Sequence, residues 1–286
     1  MKTKSILGLA TAAFALFGVG GSASAATFTS TQSGSWGSAA TWGGAGVPGC
    51  GDTVIISAGT TVTENTTDCS GDLTINGTLD MVNQFFTFDG TTLTNNGAVI
   101  SSVGSGEVDF NGTGGIGGTT QNLAGTGTYN TNGPVDFRTV NSVTVAPVSG
   151  AVLNGLRTWT INGSSGLSLG STFVVNGPMS GQTTFTNNGT ISSGGGIMKT
   201  NNNVTINGNA NMSAPLEVVS GTTTANGNLG AVTIDSGATF LENGTVASGD
   251  LTNNGTLNMA NQFFTDRKST LMNSSHQQRS GMPGYD

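Results

Sequence analysis

Seven side chains in this sequence have types and spacings from which chemistry could be built. Asp68, Asp89 and Asp109 follow one another at intervals of 21 and 20 along the chain. Glu107 would share a face with Asp109 on a strand, because successive strand side chains alternate. Arg138 and Arg157 differ by 19 in the numbering, and Lys199 follows them. If the fold stacks residues about 20 apart, the acidic column could present two carboxyls at the ~5–9.5 Å a glycosidase needs. It could equally present oxygen ligands to a cation. The basic column could supply the base of a polysaccharide lyase. The candidate catalytic residues are therefore Glu107, Asp109, Arg138 and Arg157, and the candidate metal ligands are Asp68, Asp89 and Asp109. The plainer reading is favoured for both columns: solvated faces and turns that keep a polar surface soluble. Like charges stacked at ~4.8 Å repel, which argues against a bare carboxylate column.

Other chemistry is weaker. The one histidine, His276, lies far from the rest. Gly166-Leu167-Ser168-Leu169-Gly170 matches a nucleophile-elbow string, but strand-like sequence follows where an elbow needs a helix. Gly104-Ser105-Gly106-Glu107-Val108-Asp109 only grazes a calcium-binding nonapeptide and occurs once. No phosphate-loop pattern occurs, and no cofactor is expected. Cys50 and Cys69 lack the spacing of a metal or redox pair, so a disulfide is expected between them.

These side chains need a frame. Only 8% of residues are charged and 47 of 286 are glycine, against a usual charged fraction of about 25%. Short runs of Thr, Val and Ile, such as Thr53-Val54-Ile55-Ile56, fit a pleated surface and not a disordered chain. A unit recurs in which a strand ends in Asn-Gly and another strand follows, as in Leu73-Thr74-Ile75-Asn76-Gly77-Thr78-Leu79. Asn76, Asn96, Asn111, Asn132, Asn154 and Asn176 form a series whose steps of about 20 residues fall within the range of solenoid repeats. Asn-Gly tolerates positive φ and so marks sharp turns. Hairpins would place turns every 8–12 residues with no longer period. The pattern predicts an all-β, single-stranded right-handed parallel β-helix, a solenoid with coils of about 20 residues. Residues 50–265 have room for about eleven coils, and Cys50 and Cys69 would then sit one coil apart.

The string at 72–87 recurs almost intact at 250–265, including Asn-Gln-Phe-Phe-Thr. Such a repeat points to growth by duplication of a block. Phe85 and Phe86, with their copies Phe263 and Phe264, are read as core and groove packing, with sugar stacking the lesser alternative. Residues 1–25 read as a signal peptide: Lys2 and Lys4, an apolar run at 6–19, then Ala23-Ser24-Ala25. Export to the cell exterior or outer surface follows. Removing the two lysines leaves six basic against fifteen acidic residues, a net charge of −9. Nucleic acid is excluded as a partner, because no cationic patch can form. No later run suggests a membrane-spanning segment. Residues 26–49 read as an N-terminal cap, and 266–286 as an atypical, disordered tail. Uncovered solenoid ends would invite self-association.

Trp36, Thr41-Trp42-Gly43-Gly44, Val47-Pro48-Gly49-Cys50-Gly51-Asp52 and the strands around Ile56 and Val62 resemble the opening of the eight-glycine domain family. They also resemble the first coils of secreted bacterial β-helix surface proteins of the adhesin and autotransporter-passenger kind. The likeness covers about thirty residues. It implies β-helical architecture, and proteins with this opening include both adhesins and polysaccharide-active enzymes. The chain is accordingly expected to be a structural or adhesive surface protein that meets glycans or host and abiotic surfaces. A lyase or glycoside hydrolase is the alternative. Ice binding through threonine ladders, a third reading, is disfavoured by uneven coil lengths.

Overall fold

The computed structural model describes residues 25–129, 135–177, 182–207, 211–259 and 264–269, with Asn211, 244–247 and 264–269 as backbone only. Short strands alternate inward apolar and outward polar side chains, as in Thr53–Ile56, where Val54 and Ile56 are buried. Every described pairing is parallel, and each strand generally meets the strand three further along. This builds three all-parallel sheets of 8–11 strands, the wall of a parallel β-helix. The first face contains Thr53–Ile56, Leu73–Ile75 and Thr92–Asn95. The second contains Thr61–Thr63, Thr78–Asp80 and Ala98–Ile100. The third contains Asp68–Ser70, Phe85–Phe88, Gly106–Phe110, Val135–Thr139 and Thr158–Ile161. The long strand Thr239–Asn253 runs through the corners and joins the faces near the end. No helix of the described residues is long and apolar enough to cross a membrane.

Coils are less uniform than the sequence period suggests. Val218 lies opposite Ile234, a step of 16 along the chain, and Leu93 lies opposite Leu123, a step of 30. The strands keep their alternation, and the turns absorb the difference. The expected boundaries shift as well. Thr27–Thr29 already pairs with Thr53–Ile55, so the solenoid begins inside the segment read as a cap. Phe264–Ser269 pairs with residues of Thr239–Asn253, so it extends past Thr265. The signal segment, save Ala25, and residues 270–286 lie outside the described residues, as do Asn132, Phe263 and His276.

The interior is an aromatic stack. Phe88, Phe110, Phe137, Trp159 and Phe185 follow one another with ring centroids 5.2–5.7 Å apart. Such pairs contribute ~0.5–1.5 kcal/mol each beyond their area. At the first coil Trp36 and Trp42 meet edge to face at 5.2 Å, and Trp36 rests on Phe86 at 5.1 Å. Trp42 Nε1–H donates to the Trp36 carbonyl at 2.7 Å. The two tryptophans thus close the apolar interior. Cys50 and Cys69 form a disulfide with Cα atoms 4.6 Å apart. Of the phenylalanine pair read as packing, only Phe86 is buried; Phe85 points outward.

The Asn-Gly turns work differently from the expectation. Gly112, Gly155 and Gly227 do take positive φ. Gly77, Gly97, Gly177, Gly189 and Gly255 do not; there a Cβ would strike backbone of an adjacent coil at 2.0–2.5 Å. At these five corners glycine is needed because coils approach closely, not because the chain bends left-handedly. In the Thr-Asn-Asn-Gly strings the first asparagine reinforces the corner. The Asn95, Asn187 and Asn253 side chains accept the N–H of Gly97, Gly189 and Gly255 at 3.1 Å each.

Candidate functional site on the third face

Three carboxylates and two guanidiniums meet on the third face. In Gly106–Phe110, Val108 and Phe110 point inward, so Glu107 and Asp109 must point out. The next strand repeats this pattern around Phe137, and its register sets Asp136 opposite Glu107 and Arg138 opposite Asp109. Arg138 grips Asp109 through two parallel hydrogen bonds, Nε to Oδ1 at 2.9 Å and Nη2 to Oδ2 at 2.6 Å. The same Nη2 lies 3.1 Å from Glu107 Oε1, within ion-pair range but without hydrogen-bond alignment. Arg157, just before Thr158–Ile161, repeats the two-point grip on Asp136, with Nε to Oδ1 at 2.8 Å and Nη2 on Oδ2. Thr158 Oγ1–H adds a bond to Asp136 Oδ1 at 2.7 Å. Register, not sequence proximity, makes the cluster: Val108 and Phe137 are neighbours although 29 apart in the numbering.

The electrostatics follow from partial burial and pairing. Burial is the largest cause raising Glu107 above the ordinary carboxyl range; the Arg138 charge opposes it, and Asp109 and Asp136 add to it. Hydrogen bonds to Asp109 and Asp136 raise Arg138 and Arg157 above their already high values. An arginine held this way is a poorer proton acceptor, which weighs against a lyase base at either position. The two arginine side chains remain 39% and 44% exposed, so each pair contributes no more than about 1 kcal/mol.

The columns inferred from spacing do not form. Asp68 lies opposite Phe86, and Asp109 lies opposite Thr87, which itself faces Cys69. Asp89 sits at the corner after Phe88 and accepts a bond from Asn111 Nδ2 at 2.8 Å. The three aspartates therefore take different lateral positions, and no group of three His, Cys, Asp or Glu among the described residues could hold a metal ion. Arg138 lies opposite Thr160, while Arg157 bonds the Val135 carbonyl through its N–H, so the arginines are not stacked on each other. Lys199 belongs to the second face, where Nζ donates to Glu217 Oε1 at 2.9 Å. Ser168 lies in the first-face strand Gly166–Leu169, opposite Ser192, and no elbow forms. Asp136 escaped the sequence reading. The available signal was its pattern: Asp136-Phe137-Arg138 has the same out-in-out form as Glu107-Val108-Asp109.

Around this cluster the surface is neutral and laddered. Asn176 Nδ2 donates to Asn154 Oδ1 at 2.6 Å, Asn201 Nδ2 to Asn176 Oδ1 at 2.8 Å, and Ser220 Oγ to Asn201 Oδ1 at 3.2 Å. Asn96 and Asn76 form a separate rung at 3.0 Å. The asparagines read as one series thus occupy several corners. Thr158, Thr184, Thr205 and Thr224 are vertical neighbours on the third face. Thr205 is nearly buried and bonds Gln182, which breaks the flatness an ice-binding face requires. Comparison of the chain with protein-family models, curated proteins and solved structures gave no match in any of the three.

Proposed function

We propose that this chain is an exported structural or adhesive solenoid of the cell surface or extracellular space, whose laddered faces bind glycans or solid surfaces. The observation that carries this reading is the stacked polar wall. Asparagine and threonine side chains repeat at the coil spacing, and the third-face charges largely satisfy one another. Such a wall offers many weak, equivalent hydrogen-bonding sites, and repetition converts weak contacts into avidity. Phe85, half-exposed and opposite Glu107, adds an aromatic platform at one edge of the charge cluster. The test is binding of the mature protein to a glycan array, to cells and to abiotic surfaces. Retention on at least one class supports the reading, and uniform absence of binding overturns it.

A hydrolase is the second reading, favoured by one observation. Glu107 holds its proton more tightly than an ordinary carboxyl, and Asp109 and Asp136 lie beside it. A proton-holding carboxyl with further carboxyls beside it is the kind of arrangement a glycosidase uses. Activity on a polysaccharide panel, lost in Glu107→Gln, would establish it; an inactive wild-type protein across the panel retires it.

A further inference from the structure

Glu64 is wholly buried at the end of the second-face strand Thr61–Thr63. The coil before it contributes Trp36, whose N–H donates to the Thr63 carbonyl at 2.9 Å. The coil after it contributes Asp80, whose carbonyl accepts the Glu64 N–H at 2.8 Å. The Asp68 backbone N–H leans on the Glu64 carboxyl without reaching hydrogen-bond alignment, and the buried Trp36 indole N–H also lacks an acceptor. A buried carboxylate needs a cation or a set of donors. No cation can come from the surrounding coils: the sequence has no Lys, Arg or His between Lys4 and Arg138.

The charged groups on the packed elements are few. The segment 26–49 carries none, and neither does Phe85–Phe88. Asp80 spends one carboxylate oxygen on the Val82 and Ser102 N–H groups. That leaves Asp68, four residues beyond Glu64, as the ionisable neighbour acting on it. Two carboxyls can bond each other only when one carries a proton.

We propose that Glu64 and Asp68 form a proton-held latch beneath the N-terminal cap: their shared proton keeps Trp36 and Trp42 seated, and its loss in alkali unseats them. Burial first, and the Asp68 charge second, push Glu64 up to about 9. Asp68 is raised by burial, with the Thr66 hydroxyl and Glu64 drawing it back. A carboxyl raised on folding must take up a proton as the cap closes. Closure is therefore unaffected below the ordinary carboxyl range, weakens as pH rises from there towards about 9, and levels off beyond. Within that window the closed-to-open ratio falls tenfold per pH unit.

The test is tryptophan emission and acrylamide quenching of the full chain from pH 5 to 10.5, with hydrogen exchange across residues 27–49. A reversible red shift with increased quenching and exchange is expected, and Trp36→Phe and Trp42→Phe assign it to the cap. Tyr129, pushed up by burial, stays neutral through this range. Glu64→Gln, whose amide can donate to Asp68 at every pH, should abolish the transition. Asp68→Asn should shrink it, and carries the test if Glu64→Gln does not fold. No change in the wild-type protein, or an unaltered transition in whichever variant folds, overturns the latch.

Discussion

Gly97→Ala should destabilise the solenoid by about 3–7 kcal/mol, although the change adds one methyl group. A Cβ on Gly97 would lie 2.0 Å from the Gly77 carbonyl oxygen and 2.9 Å from the Asn76 carbonyl carbon. Ordinary contact begins near 3.4 Å, so the two coils would have to part by more than 1 Å. They are clamped at this point by three backbone bonds: Asn96 and Gly97 N–H to the Ile75 carbonyl at 2.8 and 3.0 Å, and Ala98 N–H to the Gly77 carbonyl at 2.9 Å. Stretching these past bonding distance costs ~0.5–1.5 kcal/mol each, and the remaining overlap adds ~1–3 kcal/mol. Gly170 is the control, because a Cβ there meets nothing within 4 Å and its φ is ordinary. Gly170→Ala should be neutral or gain up to ~1 kcal/mol. Gly97→Asn separates the two explanations for the glycine. If backbone freedom were the reason, asparagine would be tolerated; if coil approach is the reason, it fares no better than alanine. Urea unfolding followed by circular dichroism and tryptophan emission measures all three variants. A Gly97→Ala midpoint equivalent to less than ~1 kcal/mol of loss would refute the steric argument.

Reduction of the Cys50–Cys69 bridge, whose partners are 19 apart in sequence, should cost roughly 3 kcal/mol and be visible as a lower melting temperature in dithiothreitol. Phe137→Ala removes a ring packed against Phe110, Tyr129 and Trp159 and should cost ~3–5 kcal/mol by urea titration. Asp136→Asn breaks the two-point grip of Arg157, yet the exposed guanidinium limits the loss to ~1 kcal/mol or less. That loss should diminish in high salt, which a melting series from low to molar NaCl would reveal.

The parallel solenoid was legible in the sequence because its two signals are local: strand alternation and a recurring Asn-Gly corner. The vertical neighbours were not legible, because turns of variable length spoil counting. Asp68 and Asp89 differ by 21, but the coil step there, from Asp68 to Phe86, is 18. Arg138 and Arg157 differ by 19, against a true step of 22 to Thr160. An error of one residue exchanges the inner and outer faces, and larger errors move a side chain to a corner. The disulfide survived this uncertainty because a single coil separates its partners. Asp136 has no carboxylate one period away, so its register with Glu107 stayed hidden behind an unusually long step of 29. Glu64 sits in a Thr-Glu-Asn-Thr-Thr string that reads as a solvated turn, and only its inward direction makes it unusual.

Unequal coils joined only to their neighbours have a mechanical consequence. Tension on the chain should peel the rod from an end, one winding at a time, as each winding loses its partner. Steps of 16 to 30 along the chain would each release ~55–100 Å of contour at full extension. A force trace would therefore show steps of unequal size in chain order, and the bridge at the first coil would stop the unravelling short of the amino terminus.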